Sequence, residues 1–117
     1  MFFPGVLDQV YIATGVTDMR KSINGLSILV AEQLTFNPLS GLLFCFCNRK
    51  RDMVKILYWD RNGFCLWHKR LEKERFNWPE NEADVIEIQG RELSWLLEGL
   101  NADQCTAHRQ LSYASVI

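Results

Sequence analysis

The chain has 117 residues, of which 48% are hydrophobic and 23% charged, and its formal net charge is −1. This length and composition predict one globular domain, and the near-zero total charge by itself gives no case for nucleic-acid binding. The apolar runs are shorter than the roughly 20 residues of a membrane span, and residues 1–10 lack the features of a signal peptide, so we expect a cytoplasmic protein with no membrane partner. We predict a single domain over 1–117, with a compact core over about 8–103 and a loosely docked tail over 104–117.

The first part of the chain predicts a strand followed by a long helix. DQVYIAT, residues 8–14, alternates weakly in the manner of a strand, which Gly15 ends. An apolar stripe with spacings of three and four residues then predicts a helix over 17–34, with Thr17 as its N-cap. The stripe consists of Met19, Ile23, Leu26, Val30 and Leu34.

Three strand candidates follow, joined by two short charged turns. They are GLLFCFCN, MVKILYWD and FCLWHKRL, and the turns are RKRD at 49–52 and DRNG at 60–63. Asn-Gly is a strong hairpin signal because both residues tolerate positive φ. A four-residue loop at DRNG pairs apolar side chains on both faces, so we expect the hairpin to lie between two layers. The pairs are Trp59 with Phe64, Leu57 with Leu66, and Ile56 with Trp67.

The C-terminal part predicts a polar connection, a short strand and a short helix. Pro79 excludes residues 71–84 from a central strand, 84–88 is typical of a strand, and 90–99 predicts a helix with Gly99 as its C-cap. The complete pattern predicts an α+β fold: a mainly antiparallel sheet of four to five strands, with the long helix on one face and the short helix near an edge.

The charges divide the chain into a basic and an acidic part. Residues 20–75 carry eleven Lys and Arg against five Asp and Glu, whereas 76–103 carry one Arg against seven acidic residues. The basic part could bind a polyanion while the acidic part repels it or faces a protein partner. Alternatively, the two parts pair with each other in the fold.

The best functional candidate is a set of cations around the RKR turn and the first turn of the long helix. A basic hairpin can contact DNA phosphates, although a charged turn can also simply protect a sheet edge from pairing. The two cations of the helix would suit a phosphate, unless Asp18 neutralises them. The candidate nucleic-acid-binding residues are Arg49, Lys50, Arg51, Lys55, Lys69, Arg70, Arg20 and Lys21.

The aromatic residues and cysteines favour a structural interpretation. Aromatic side chains in alternating strands are more often core than base-stacking platforms. This applies to Tyr58, Trp59, Trp67 and Trp78. Cys45 and Cys47 are expected on one face and Cys65 and His68 on opposite faces, which does not match a zinc site. We interpret the cysteines as reduced, small hydrophobic residues and expect no metal and no cofactor.

Catalysis has little support in the sequence. A metal-dependent nuclease needs clustered carboxylates, but strand ends, turns and a cap explain each candidate. These are Asp8, Asp18, Asp52 and Asp60. The chain lacks a glycine-rich phosphate loop and a nucleophile–His–acid arrangement that periodicity would bring together. We therefore expect no enzyme activity and no catalytic residues.

The chain closely resembles a known family in three segments, which are TDMRKSINGL at 17–26, KILYWDRNGFCLWHKRLEKERFNWP at 55–79 and ELSWLLEGL at 92–100. The family is the small accessory protein of insertion sequences of the IS-sixty-six type, often called TnpB or the second open reading frame. The resemblance implies a bacterial protein encoded beside a separate DDE-type transposase, which it helps to move the element. It implies no catalytic residues and no metal motif at Cys45 and Cys47.

The sequence thus predicts a non-catalytic accessory protein for transposition that contacts DNA, at the element ends, through its basic hairpin. The alternative is a protein-interaction module that binds the transposase without touching DNA. Its signature would be an exposed apolar patch around Trp59, Trp67 or Trp78, with a dispensable RKR turn. The sequence does not fix the oligomeric state.

Overall fold

A strand–helix–strand unit forms the first half of the fold. The computed structural model describes residues 9–98. Strand β1 (Val10–Val16) is followed by helix α1 (Ile23–Glu32) and strand β2 (Leu43–Cys47), and β1 and β2 pair in parallel. The helix carries the chain back to the end of the sheet where β1 began, so the second strand must run in the same direction as the first.

The second half adds a hairpin, one edge strand and a second helix. These elements are β3 (Met53–Asp60), β4 (Gly63–Arg70), β5 (Val85–Ile88) and α2 (Gly90–Leu97). The strand order is β4-β3-β2-β1-β5, and every pairing except β1–β2 is antiparallel. The predicted α+β class and strand number are confirmed. The sheet is mixed, because the crossover through α1 imposes one parallel pair.

The predicted register of the β3–β4 hairpin is confirmed. Trp59 pairs with Phe64, Leu57 with Leu66, and Ile56 with Trp67. The ladder extends to Asp60 and Gly63, so the loop has two residues, and the residue with positive φ is Arg61 (55°). The hairpin that Asn-Gly indicated is confirmed, but its loop has two residues where four were expected, and neither Asn62 nor Gly63 has a positive φ. The cross-strand pairs extend to the end of the ladder and leave Arg61 at the first turn position.

The long helix is shorter than predicted. It begins after Ser22, which is the N-cap, and not after Thr17. Thr17 is buried and its N–H donates to the carbonyl oxygen of Cys47 at 2.9 Å, which holds residues 17–21 in a turn against the sheet. At the other end, Thr35 has a positive φ of 60° and the helix has already stopped. Arg20 and Lys21 therefore precede the helix and do not lie in its first turn.

The sheet is covered on both faces, as the apolar hairpin predicted. One face packs against α1, and the predicted stripe lies there, with Leu26, Val30 and Leu34 buried. The opposite face packs against α2 and the connection between β4 and β5. This second core is formed by Val10, Ile12, Leu43, Cys45, Cys47, Val54, Ile56, Phe76, Trp78, Leu93, Leu96 and Leu97.

Some predictions fall outside the described residues, namely Gly99 as the C-cap and the tail over 104–117. Within residues 9–98, α2 ends at Leu97, and Glu98 is its C-cap. No helix in this part of the chain is long and apolar enough to cross a membrane.

Candidate nucleic-acid interface

A broad, open groove lies at the end of the sheet where the parallel strands β1 and β2 both terminate. Its volume is about 820 Å³. One wall is the segment after β1, the other is the turn between β2 and β3, and the end of β4 closes the site. Sheets with parallel strands commonly bind ligands beyond the carboxyl ends of those strands. The lining residues of this basic groove are Val16, Thr17, Asp18, Met19, Arg20, Asn48, Arg49, Lys50, Asp52, Met53 and Arg70.

Asn48 organises the wall that carries Arg49 and Lys50. Its side-chain oxygen accepts hydrogen bonds from the backbone N–H groups of Asp52 and Met53, both at 3.1 Å. Its side-chain nitrogen donates to the Asp52 carboxylate at 2.7 Å. An asparagine that binds the backbone in this way fixes the conformation of the turn. The two exposed cations therefore project from a rigid segment of backbone.

Lys55 holds the opposite wall in place. Its Nζ donates to the carbonyl oxygens of Met19 and Lys21, at 2.8 and 3.0 Å. The ammonium group of Lys55 is thus engaged with the backbone of the 17–21 segment and does not line the groove. Its role in the fold is to attach the segment that carries Arg20 to strand β3.

Lys69 and Arg51 point away from the basic groove. Lys69 Nζ donates to the carbonyl oxygen of Leu97 at 2.9 Å, at the C-terminus of α2, where a cation is favoured by the helix dipole. Arg51 has a positive φ of 63°, and its buried Nη1 has no hydrogen-bond partner among residues 9–98. Its guanidinium lies beside the Cys47 thiol.

The eight predicted cations therefore do not form one surface. Four of them line the basic groove, namely Arg20, Arg49, Lys50 and Arg70. The strand register explains part of the division, because Lys55 pairs with His68 whereas Lys69 pairs with Val54, so the two lysines lie on opposite faces of the sheet.

Three acidic residues moderate the charge of the groove: Asp18 and Asp52 line it, and Glu72 pairs with the lining residue Arg70. Arg20 Nη2 lies 2.7 Å from Asp18 Oδ2, and the Arg20 Nε donates to both carboxylate oxygens at 3.0 Å. These hydrogen bonds, with one from the Arg20 backbone, lower the pKa of Asp18 to about 2. Arg70 pairs with Glu72 at 3.2 Å, and both side chains remain mostly exposed. Arg49 and Lys50 have no ion pair in the described part of the chain.

The lowered pKa of Asp18 gives a direct test of this ion pair in solution. We expect the Asp18 carboxyl to titrate near pH 2 in an NMR titration, against an ordinary value of 3.8. Because the pKa is lowered in the folded protein, the pair favours folding above about pH 4, and this contribution is lost as the pH falls towards 2. Arg20→Ala should return the pKa towards 3.8, whereas the control Arg70→Ala should not. An Asp18 pKa near 3.8 in the unmodified protein would show that the pair does not form.

The four aromatic residues singled out in the sequence lie in the core or along the hairpin, and no aromatic side chain within residues 9–98 lines the groove. Trp78 is buried and donates from Nε1 to the Ala13 carbonyl oxygen at 2.9 Å. Tyr58 and Trp67 pack against the same core, and the ring centroid of Trp59 lies 5.0 Å from that of Phe64. Trp78 is therefore a core residue, and the packing of the other three agrees with a structural role.

Cys45 and Cys47 are buried on the same face of the sheet, as the alternation predicted. Burial raises the pKa of both thiols, and for Cys47 this effect outweighs the nearby Arg51 guanidinium. Within residues 9–98, no group of three or more His, Cys, Asp and Glu side chains is arranged to hold a metal ion.

The sequence did not predict the apolar floor of the groove or the ordering role of Asn48. The floor residues are Val16, Met19 and Met53, which come from a strand end, a turn and the start of another strand. They meet only because β1 and β2 are parallel. A strand–helix–strand pattern was the available signal, since such crossovers normally join parallel strands.

The fold and the groove define a small α+β protein with clustered cations at one end of a mixed sheet. The chain belongs to the family described as IS66 Orf2-like protein, whose sequence profile matches residues 8–107. This confirms the resemblance to the accessory proteins of these insertion sequences. The family supports an accessory protein associated with transposition.

Two curated relatives come from Sinorhizobium fredii. The chain is 44% identical over 93 residues to the uncharacterized protein y4hO, with 80% of this chain and 81% of that protein covered. It is 32% identical over 93 residues to the uncharacterized protein y4jC, with 80% of each chain covered. No solved structure matches the chain.

Proposed function

We propose that this protein is a non-catalytic accessory protein that contacts DNA phosphates through the basic groove while the transposase of the same element performs the chemistry. The observation that carries the proposal is the convergence of four cations from three separate segments on one groove: Arg20, Arg49, Lys50 and Arg70. Phosphate contacts position a protein on DNA and make its affinity dependent on salt.

The groove cations are accessible to a polyanion. The Arg20 side chain is 91% exposed and that of Arg70 is 59% exposed, so their ion pairs lie in water. Exposed pairs of this kind are weak, and a phosphate can compete for the guanidinium groups. Arg49 and Lys50 are exposed and form no ion pair within residues 9–98, so a phosphate would displace no carboxylate from them.

The acidic part of the chain is available to a protein partner. The ion pairs within residues 9–98 join near neighbours, Asp18 with Arg20 and Arg70 with Glu72, and none joins residues 20–75 to the acidic 76–98 region. Exposed carboxylates lie instead before and within edge strand β5. They are Glu80, Glu82, Asp84 and Glu87. We assign this side of the molecule to the DDE-type transposase.

The test is fluorescence anisotropy with a labelled duplex carrying an end of the element, a scrambled duplex, and a salt series. We expect Arg49→Ala with Lys50→Ala to weaken binding by about tenfold or more at low salt and to reduce the salt slope by about two, since two phosphate contacts are lost. Arg51 is left intact because its half-buried side chain would confuse binding with folding.

The charge-matched control is Lys73→Ala with Arg91→Ala, two exposed cations outside the groove. The control should retain the affinity and the slope of the unmodified protein. A preference for the terminal duplex would make the protein an end-recognition factor. Equal losses of DNA affinity in the two double variants would show that the groove is not the binding site. If the unmodified protein bound no DNA at low salt, the result would favour the module that binds only the transposase.

A further inference from the structure

The basic groove has an apolar floor, which phosphate contact alone does not explain. Val16 is 51% exposed, and the half-buried Met19 and Met53 lie with it among the lining residues. Val16 is the last residue of β1, and it lines the groove together with the four cations. A bound molecule that fills the groove would remove apolar surface from water and also meet positive charge.

A regular duplex fits this arrangement poorly. Its outer surface is a convex ridge of charged phosphates, and its base faces are stacked inside the helix. Phosphates placed on Val16 and the two methionines would lose hydration without gaining a polar partner. Single-stranded DNA differs because it can present a base face and its backbone phosphates to the same site.

We infer that the basic groove binds unpaired nucleotides of a DNA strand, with a base against Val16, Met19 and Met53 and the flanking phosphates on the surrounding cations. This inference rests on the proposed function, because it specifies which form of DNA the groove takes. Methionine suits the floor, since its flexible, polarisable thioether makes favourable contacts with aromatic rings and adapts to different bases.

The position of the cations matches a strand that passes through the groove. Arg20 stands on the wall after β1, whereas Arg49 and Lys50 stand on the wall between β2 and β3. Arg70 follows at the end of β4 and lies beside Met53 in the β3–β4 pairing. Positive groups thus lie on both sides of the apolar floor, as a backbone with a phosphate on each side of a base requires.

The experiment compares three labelled probes of one sequence by anisotropy: a single strand, a blunt duplex, and the same duplex with a short single-stranded overhang. We expect the single strand and the overhang to bind about tenfold more tightly than the blunt duplex, a preference of ~1.4 kcal/mol. Val16→Ser should weaken binding of the single strand and of the overhang, and so remove most of this preference. The matched control is Ile28→Ser, which alters an equally exposed apolar side chain (55%) that does not line the groove.

The outcomes separate this inference from the proposed function. Equal affinity for the three probes, with salt-dependent binding still lost in the Arg49 and Lys50 double variant, would overturn the inference and leave the proposed function standing. No binding of any probe at low salt would overturn both. Tighter binding of labelled polyglutamate than of the single strand would indicate a groove for acidic peptide and would also overturn the inference.

Discussion

Trp78→Ala is expected to lower the free energy of unfolding by about 3–5 kcal/mol, the usual cost of truncating a buried aromatic side chain. Trp78 is only 5% exposed and packs in the core beneath α2, although it belongs to the connection between β4 and β5, which has no regular structure. Its indole also satisfies the Ala13 carbonyl oxygen of the central strand β1. The substitution would therefore leave a cavity and weaken the attachment of the connection to the sheet.

Urea unfolding monitored by far-ultraviolet circular dichroism measures this effect without using tryptophan as the probe. Trp78→Phe should cost less, about 1–3 kcal/mol, because it retains most of the ring and removes the N–H donor. Trp59→Ala, at a half-buried position on the hairpin, should cost less than Trp78→Ala. If Trp59→Ala proved the more damaging change, the assignment of Trp78 as the anchor of the connection would be wrong.

Lys55→Met should lower both stability and DNA affinity, although Lys55 does not line the groove. The change removes two hydrogen bonds from an ammonium group to the backbone of Met19 and Lys21, with an expected cost of about 1–3 kcal/mol after allowance for partial exposure. Without them the segment that carries Arg20 loses its attachment to β3. We expect DNA affinity to fall by about threefold to tenfold, which anisotropy and urea unfolding measure on the same sample.

Lys69→Met is the matched control for this prediction. It removes the same charge from the next strand, but on the opposite face, where Lys69 binds the C-terminal carbonyl of α2. This variant should lose about 1 kcal/mol of stability and keep its DNA affinity. Equal affinity in the two variants would contradict the role of Lys55 in positioning the groove wall.

The sequence predicted the elements that depend on local periodicity. Alternation and apolar matching gave the β3–β4 register, and the stripe through Leu26 and Val30 gave the packed face of α1. The start of that helix was misplaced because Thr17 is a good cap by type, yet its backbone N–H is engaged by Cys47 in the sheet. A tertiary hydrogen bond overrode the local preference.

The candidate site was harder to predict, because it depends on contacts between distant segments. Cation counting identified Arg49 and Lys50, which project from a local turn. It could not separate them from Arg51, whose guanidinium is partly buried beside the Cys47 thiol, or from Lys55, whose hydrogen-bond partners lie in a distant segment of the chain. The apolar floor depended on the direction of β2 relative to β1, which composition does not encode.

The basic groove exists only in the completely folded sheet. Its walls come from 16–20, from 48–53 and from Arg70, and they meet only when β1 has taken its place between β2 and β5. An immature or damaged copy would still display Arg49 and Lys50 but would lack the facing wall. On the proposed function, such copies would bind DNA less tightly than the fully folded protein.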